Sequence, residues 1–176
     1  MPGSPTRPHL YAFSGLPGSG KTRLARLLAR RLGALHLRID TIEQALRDLC
    51  AVEVGGEGYA LARRIAADNL ALGLCVISDC CNPIALTRDA WEGIAAACGA
   101  RCTNVEIVCT DRREHRWRVE NRPGDVPNLR PPAWAEVEAR EYEAWTRPRI
   151  VVDTAGRSEA ESFAELCARL ALDRPR

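Results

Sequence analysis

Residues Gly15-Leu16-Pro17-Gly18-Ser19-Gly20-Lys21-Thr22 fit the pattern G-x-x-x-x-G-K-S/T in full, between an apolar strand-like run at 9–14 and an amphipathic stretch at 21–32. No other feature constrains the fold as tightly. Glycines let successive backbone N–H groups turn inward and cradle phosphate oxygens. A helix beginning near Gly20 adds the positive end of its dipole. Lys21 is placed to neutralise β- and γ-phosphate charge, and the Thr22 hydroxyl to coordinate Mg²⁺. Chance produces such a match in well under about one in a hundred chains of this length. Of the 25 lysines and arginines in the chain, Lys21 is the only lysine. Whatever bias replaced lysine elsewhere left it at the motif position.

The 176 residues suit one domain with one core. No apolar run approaches the roughly 20 residues of a membrane span, and residues 1–10 lack the apolar core of a secretory signal. A cytoplasmic location is the expectation. A net charge of +2 gives no general attraction to nucleic acid or to an anionic membrane. Nothing in the sequence sets an oligomeric state. The eight cysteines include no C-x-x-C pair and read as small buried hydrophobes.

Residues 1–8 form a short Pro/Gly/Ser-rich tail, expected to be mobile, and 9–176 a single domain. Strand-like runs fall at 9–14, 35–39, 74–78, 105–109 and 150–152. Helical periodicity covers 21–32, 41–49, 59–72, 84–98, 112–121, 133–145 and 159–170. Apolar strands alternating with helices indicate a parallel sheet covered on both faces. Ligands of such sheets bind beyond the carboxyl ends of the strands. Residues just after strands are therefore the functional candidates.

With the phosphate loop in this setting, the chain resembles the P-loop small-molecule kinases, and most closely the AAA-type zeta toxin and chloramphenicol phosphotransferase-like branch. The resemblance covers most of the chain after Leu10. It implies an α/β three-layer P-loop NTPase with a central parallel five-stranded sheet and a small helical lid. It also implies ATP and Mg²⁺ as nucleotide and cofactor, and a small-molecule hydroxyl as acceptor. In these kinases an aspartate directly after the second strand binds the acceptor hydroxyl and takes its proton, and Asp40 stands at that place. Asp40 and Glu43 also have the spacing of a helix N-cap and its partner three residues on. Arg38 is a weaker candidate, because strand alternation can turn it to solvent.

Val76-Ile77-Ser78-Asp79 resembles a Walker B strand, which makes Asp79 a Mg²⁺ residue beside Thr22. Its other reading is a strand-end carboxylate capping the turn at Asn82-Pro83. Asn82 and Thr87 are further candidates for acceptor contacts. Arg118 and Arg122, four apart on the 112–121 helix, match the lid arginines that close on the γ-phosphate. Proline and glycine follow, so a lid is expected over about 116–132, with Arg116 a lesser member and His115 a surface residue. In the family, the loop after the last strand passes near the adenine. The four tryptophans, Trp91, Trp117, Trp134 and Trp145, read as packing residues, although Trp134 and Trp145 lie close enough to the lid to line an acceptor pocket.

These features point first to an ATP-dependent phosphotransferase acting on a small molecule. A polynucleotide-end kinase is a second reading, against which the charge argues. A nucleotide-binding regulatory protein is a third.

Overall fold

Strand β1, His9–Ser14, is buried along its whole length and sets both faces of the sheet. Leu10 and Ala12 project to one side, and Tyr11 and Phe13 to the other. In this computed structural model, which describes residues 7–172, four more strands run parallel to it. They are β2 (Leu35–Arg38), β3 (Val76–Asp79), β4 (Arg101–Val108) and β5 (Ile150–Asp153), in the order β2-β3-β1-β4-β5. Most of the expected mobile tail lies outside the described residues. Its last two positions are tied down, with Arg7 Nε donating to the Gly99 carbonyl at 2.9 Å and the Pro8 carbonyl accepting from the Arg101 N–H at 2.9 Å.

Among the described residues seven helices complete the three layers: α1 (Lys21–Leu32), α2 (Ile39–Cys50), α3 (Glu57–Ala71), α4 (Ala85–Ala97), α5 (Arg112–Asn121), α6 (Trp134–Glu138) and α7 (Glu159–Arg169). Leu24, Ala25, Leu28 and Ala29 form the buried stripe of α1 and pack with Leu166 of α7 on Phe13, Ile77, Ile107 and Val152. On the opposite face Ala62, Ala66 and Leu70 of α3 and Trp91 and Ala95 of α4 cover Leu10, Leu37 and Val76. The five-stranded parallel α/β fold matches the expectation. Of the eight cysteines, expected to be buried, only Cys80, Cys109 and Cys167 are buried, and Cys50 is exposed.

The helix expected over 133–145 is not formed beyond Glu138. A competing set of hydrogen bonds explains this. Arg88 of α4 is 2% exposed, and its guanidinium donates to the carbonyls of Asn82 (2.9 Å), Pro83 (3.1 Å), Glu143 (2.9 Å) and Ala144 (3.4 Å). The Trp145 ring lies 4.1 Å from the guanidinium carbon. The Glu143 N–H donates to the Pro83 carbonyl at 2.8 Å, and the Glu143 carboxylate accepts from the Ala85 N–H at 2.5 Å. Carbonyls bound to a buried cation are unavailable to a helix ladder. Trp145 is thereby drawn to Arg88, and neither it nor Trp134 lines the cleft described below.

Arg88→Leu is expected to leave several buried carbonyls unpaired and to destabilise the fold by about 3 kcal/mol or more. Hydrogen exchange should show selective loss of protection over 142–145. Unchanged protection there would show that the segment holds itself.

His9 gives the fold an acid-sensitive point. It is 8% exposed, stacks on Tyr11 and pairs with the Thr103 hydroxyl at 2.8 Å. Burial, helped by Arg101, pushes its pKa from 6.5 down to about 4. The unfolded chain therefore takes up a proton that the fold refuses. This contribution to stability is complete above pH 6.5 and is lost as pH falls towards 4. Urea unfolding at pH 7 and pH 4.5 should show a smaller difference for His9→Leu than for the wild type.

Candidate active site

The phosphate loop is pressed between β4 and α5, and glycine is what fits. Gly15 has φ 140°, and a Cβ there would stand 2.2 Å from the Ile107 carbonyl oxygen. Gly18 has φ 85°, and a Cβ there would stand 2.5 Å from Val119 Cγ2. Three neighbours hold the loop. The Gly15 N–H donates to the Cys81 carbonyl at 3.1 Å, His115 Nε2 donates to the Pro17 carbonyl at 2.8 Å, and the Thr154 hydroxyl donates to the Ser19 carbonyl at 2.9 Å. His115 is thus buried and supports the loop, contrary to the surface position expected for it.

Register brings the ends of β1, β3 and β2 together, with Phe13 and Arg38 both paired to Asp79. Asp79 is 1% exposed. Its Oδ1 accepts from Lys21 Nζ at 2.8 Å and from the Thr22 hydroxyl at 3.3 Å, and its Oδ2 accepts from His36 Nε2 at 3.2 Å. Burial favours the neutral acid, but Lys21 and His36 outweigh it and hold the Asp79 carboxyl well below the usual carboxylate range. Burial likewise opposes the charge on Lys21, and Asp79 outweighs it, so the ammonium stays charged.

Asp79 therefore does not cap the following turn. Asn82 holds that turn, with φ 47° and its Nδ2 donating to the Phe13 carbonyl at 3.0 Å. Asn82 is fully buried, and Thr87 donates to the Ile84 carbonyl at 2.9 Å, so neither faces the cleft as an acceptor contact. Mg²⁺ in nucleotide sites needs one or two carboxylates besides phosphate oxygens. A Thr22 hydroxyl 3.3 Å from a charged carboxylate at the foot of the loop fits that requirement.

A cleft of about 910 Å³ opens from the loop, at the upper end of the roughly 300–1,000 Å³ range of ligand pockets. Gly15–Gly18, Gly20, Lys21 and Thr22 line one side, while Ser19 supports the loop from beneath at 1% exposure. Asp40 lines the same cleft. The expected Asp40–Glu43 capping box is absent: α2 starts two residues earlier, with Arg38 at its N-cap position and no side-chain cap. Asp40 sits in the first turn with its side chain 49% exposed and only a 3.7 Å contact to Arg38. It is free to face a ligand.

Arg38 is not turned to solvent. It is 9% exposed, and its two terminal nitrogens donate to Asp125 at 2.7 and 2.8 Å. Arg26 adds a contact to Asp125 at 3.2 Å. This fork fastens the irregular stretch after α5 across the cleft.

The lid arginines part company. Arg118 donates to the Thr154 hydroxyl (2.7 Å), the Thr154 carbonyl (2.9 Å) and Glu114 (2.5 Å), on the side of the loop after β5. Arg122, at the end of α5, lies in the field of Asp40 and Asp125 but pairs with neither. Arg116 pairs with Glu120 on the outer surface. Sequence reasoning missed Asp125, His36 and Trp117. Trp117 is 65% exposed at the cleft rim, where packing was expected. Its lack of apolar partners at i±3 and i±4 on α5 was the available signal.

A family model described as AAA domain matches residues 10–149. The chain belongs to this family. No curated protein matches its sequence. The fold of this AAA domain is shared with solved structures at low identity. The APS kinase CysC of Mycobacterium tuberculosis in complex with AMPPNP and APS superposes with TM-score 0.68 and 22% identity, over 94% of this chain and 98% of that one. A gluconokinase from Sinorhizobium meliloti 1021 gives 0.67 and 17%, over 94% and 93%. Chaetomium thermophilum Kti12 in complex with ADP-AlF3 gives 0.66 and 20%, over 94% and 100%. No described helix of the AAA domain is long and apolar enough to cross a membrane.

Asp79→Asn is expected to remove the counter-charge of Lys21 and the carboxylate of the metal site together. Titration of an ATP analogue with and without EDTA should show that the wild type gains affinity from Mg²⁺ and that the variant loses that gain by tenfold or more. An equal Mg²⁺ gain in both would take Asp79 out of the metal site.

Proposed function

We propose that the chain is an ATP-dependent phosphotransferase that moves the γ-phosphate to a hydroxyl of a small molecule. The reading is supported above all by one observation: a phosphate cradle and an uncommitted carboxylate, Asp40, share one cleft. A protein that only held nucleotide would have no evident use for an uncommitted carboxylate in the phosphate cleft. The zeta toxin and chloramphenicol phosphotransferase-like branch stays in this reading as the group whose loop and post-strand acid the sequence resembles.

The roles follow from position. The backbone of Gly15–Gly20, together with Lys21, binds the phosphates and withdraws their charge. Thr22 and Asp79 would hold Mg²⁺, which when bound supplies further neutralisation of phosphate charge. Asp40 orients the acceptor hydroxyl and accepts its proton as the oxygen attacks phosphorus. Arg118 and Arg122 flank the transferred group from the nucleotide and acceptor sides. Residues of about 116–132 cover the cleft, and the Asp125 fork to Arg38 and Arg26 is what must stay closed to exclude water.

Transfer of labelled γ-phosphate from ATP to a library of hydroxyl compounds tests the reading. Lys21→Ala should lower transfer by roughly 10²- to 10⁴-fold with the fold retained. ATP hydrolysis stimulated by a protein partner, without transfer to any small molecule, would favour the regulatory reading.

Because Asp40 caps nothing, Asp40→Asn should leave the melting temperature within about 1–2 °C of wild type while transfer falls about a hundredfold or more. Intact transfer in that variant would remove the base from the mechanism.

A further inference from the structure

The cleft is far more basic than the chain. Ten of the 25 lysines and arginines line it, against five of the 23 acids, or six with Asp79 beneath Lys21. The remainder of the chain is consequently slightly acidic. Charge is concentrated at the site, and a magnesium-bound triphosphate, already partly neutralised by its ion, offsets only part of it.

The arginines are not equal in this respect. Arg38 and Arg26 share Asp125, Arg118 holds Glu114 and Thr154, Arg130 holds Glu136, and Arg47 contacts Glu43 at 3.7 Å. Arg122 and Arg140 have no ion-pair partner among the described residues. Arg122 is half-buried, and the nearby charges of Asp40 and Asp125 offset only part of its desolvation. Arg140 follows α6, is exposed, and lines the cleft together with Cys81, which stands two residues after Asp79. The carboxylates near it, Glu43 and Glu136, are those engaged by Arg47 and Arg130. Arg122, at the end of α5, and Arg140, after α6, line the same cleft as Asp40, so two arginines without ion pairs and one uncommitted carboxylate share it from different elements. The phosphate loop, Lys21 and Arg118, which is held by Thr154, line the same cleft.

Resting on the phosphotransferase reading, we propose that the acceptor is an anionic small molecule whose carboxylate, sulfate or phosphate group is held between Arg122 and Arg140. Its hydroxyl then lies at Asp40. Guanidinium forks bind such planar or tetrahedral oxyanions with paired hydrogen bonds. A neutral acceptor would leave both charges unmatched once the cover closes. A nucleic-acid strand would need the basic character to extend past the cleft, where the chain is instead slightly acidic.

Inorganic sulfate is the probe. With AMPPNP and Mg²⁺ saturating the phosphate loop, sulfate should raise the melting temperature saturably in the millimolar range, relative to chloride at equal ionic strength. Arg140→Ala and Arg122→Ala should each weaken that effect tenfold or more. Arg113→Ala, an exposed arginine of α5 outside the cleft, should leave it unchanged. Absence of a sulfate effect beyond chloride, or an undiminished effect in Arg140→Ala, overturns the proposal. So does displacement of sulfate by a ten-nucleotide single strand at concentrations where a mononucleotide does nothing. The two readings fail separately. Sulfate binding with no phosphate transfer to any acceptor sinks the phosphotransferase reading, and efficient transfer to a neutral polyol without sulfate binding sinks this one alone.

Discussion

Lys21 and Asp79 each carry a full charge in a place where neither would keep it alone. Their 2.8 Å contact lies at the foot of the phosphate loop, and the Asp79 side chain has no exposure at all. Removing either partner leaves the other as an uncompensated buried ion, which proteins relieve by neutralisation or by opening the site. The pair thus keeps two reactive charges ready inside the sheet's edge. It also joins elements distant in sequence, since α1 follows β1 whereas Asp79 ends β3. The proposed reaction needs both charges to be shareable: Lys21 with phosphate oxygens, and Asp79 with the ion held by Thr22. His36 on Oδ2 is then more than an accessory, because it keeps Asp79 hydrogen-bonded when Lys21 turns to phosphate.

A second ion cluster does for the cover what this pair does for the loop. Arg38 is nearly as buried as Asp79, and its bidentate partner Asp125 comes from 87 positions along the chain. Bidentate geometry fixes direction as well as distance. The stretch after α5 has no regular backbone pairing of its own, so its position over the cleft is set chiefly by this fork, with Asn128 adding a contact to Asp48 at 3.1 Å.

The fold was readable because its signals are local. Alternation in β1, the leucine stripe of α1 and the glycine loop between them each need only a dozen residues to be seen. Asp40 and Asp79 were legible by position after a strand. What escaped was decided by partners far along the chain. Arg88 captures the carbonyls of residues 143 and 144, which ended a helix that periodicity alone supports. His115 was buried by the Pro17 carbonyl, and Arg38 by Asp125. Arg118 and Arg122 share a spacing in sequence, yet Glu114 and Thr154 claim one and leave the other. Spacing on a helix shows which side chains are neighbours but not which of them are already satisfied.

The distribution of cations carries the same point into chemistry. All cations in the chain except Lys21 are arginine, and the ones that fasten structure use the planar fork: Arg38 on Asp125 and Arg88 across four carbonyls. An ammonium in those places would satisfy fewer acceptors and leave directions unset. At the phosphate loop the demands reverse. The Lys21 side chain is 11% exposed against Asp79, and in the proposed reaction its charge passes between that carboxylate and phosphate oxygens. A compact point charge on a flexible stem does this; a rigid fork bound at two points does not. In the proposed reaction the one lysine stands where a cation must change partners and these arginines where a cation must not; of the arginines that line the cleft, Arg122 and Arg140 are the two without an ion pair among the described residues.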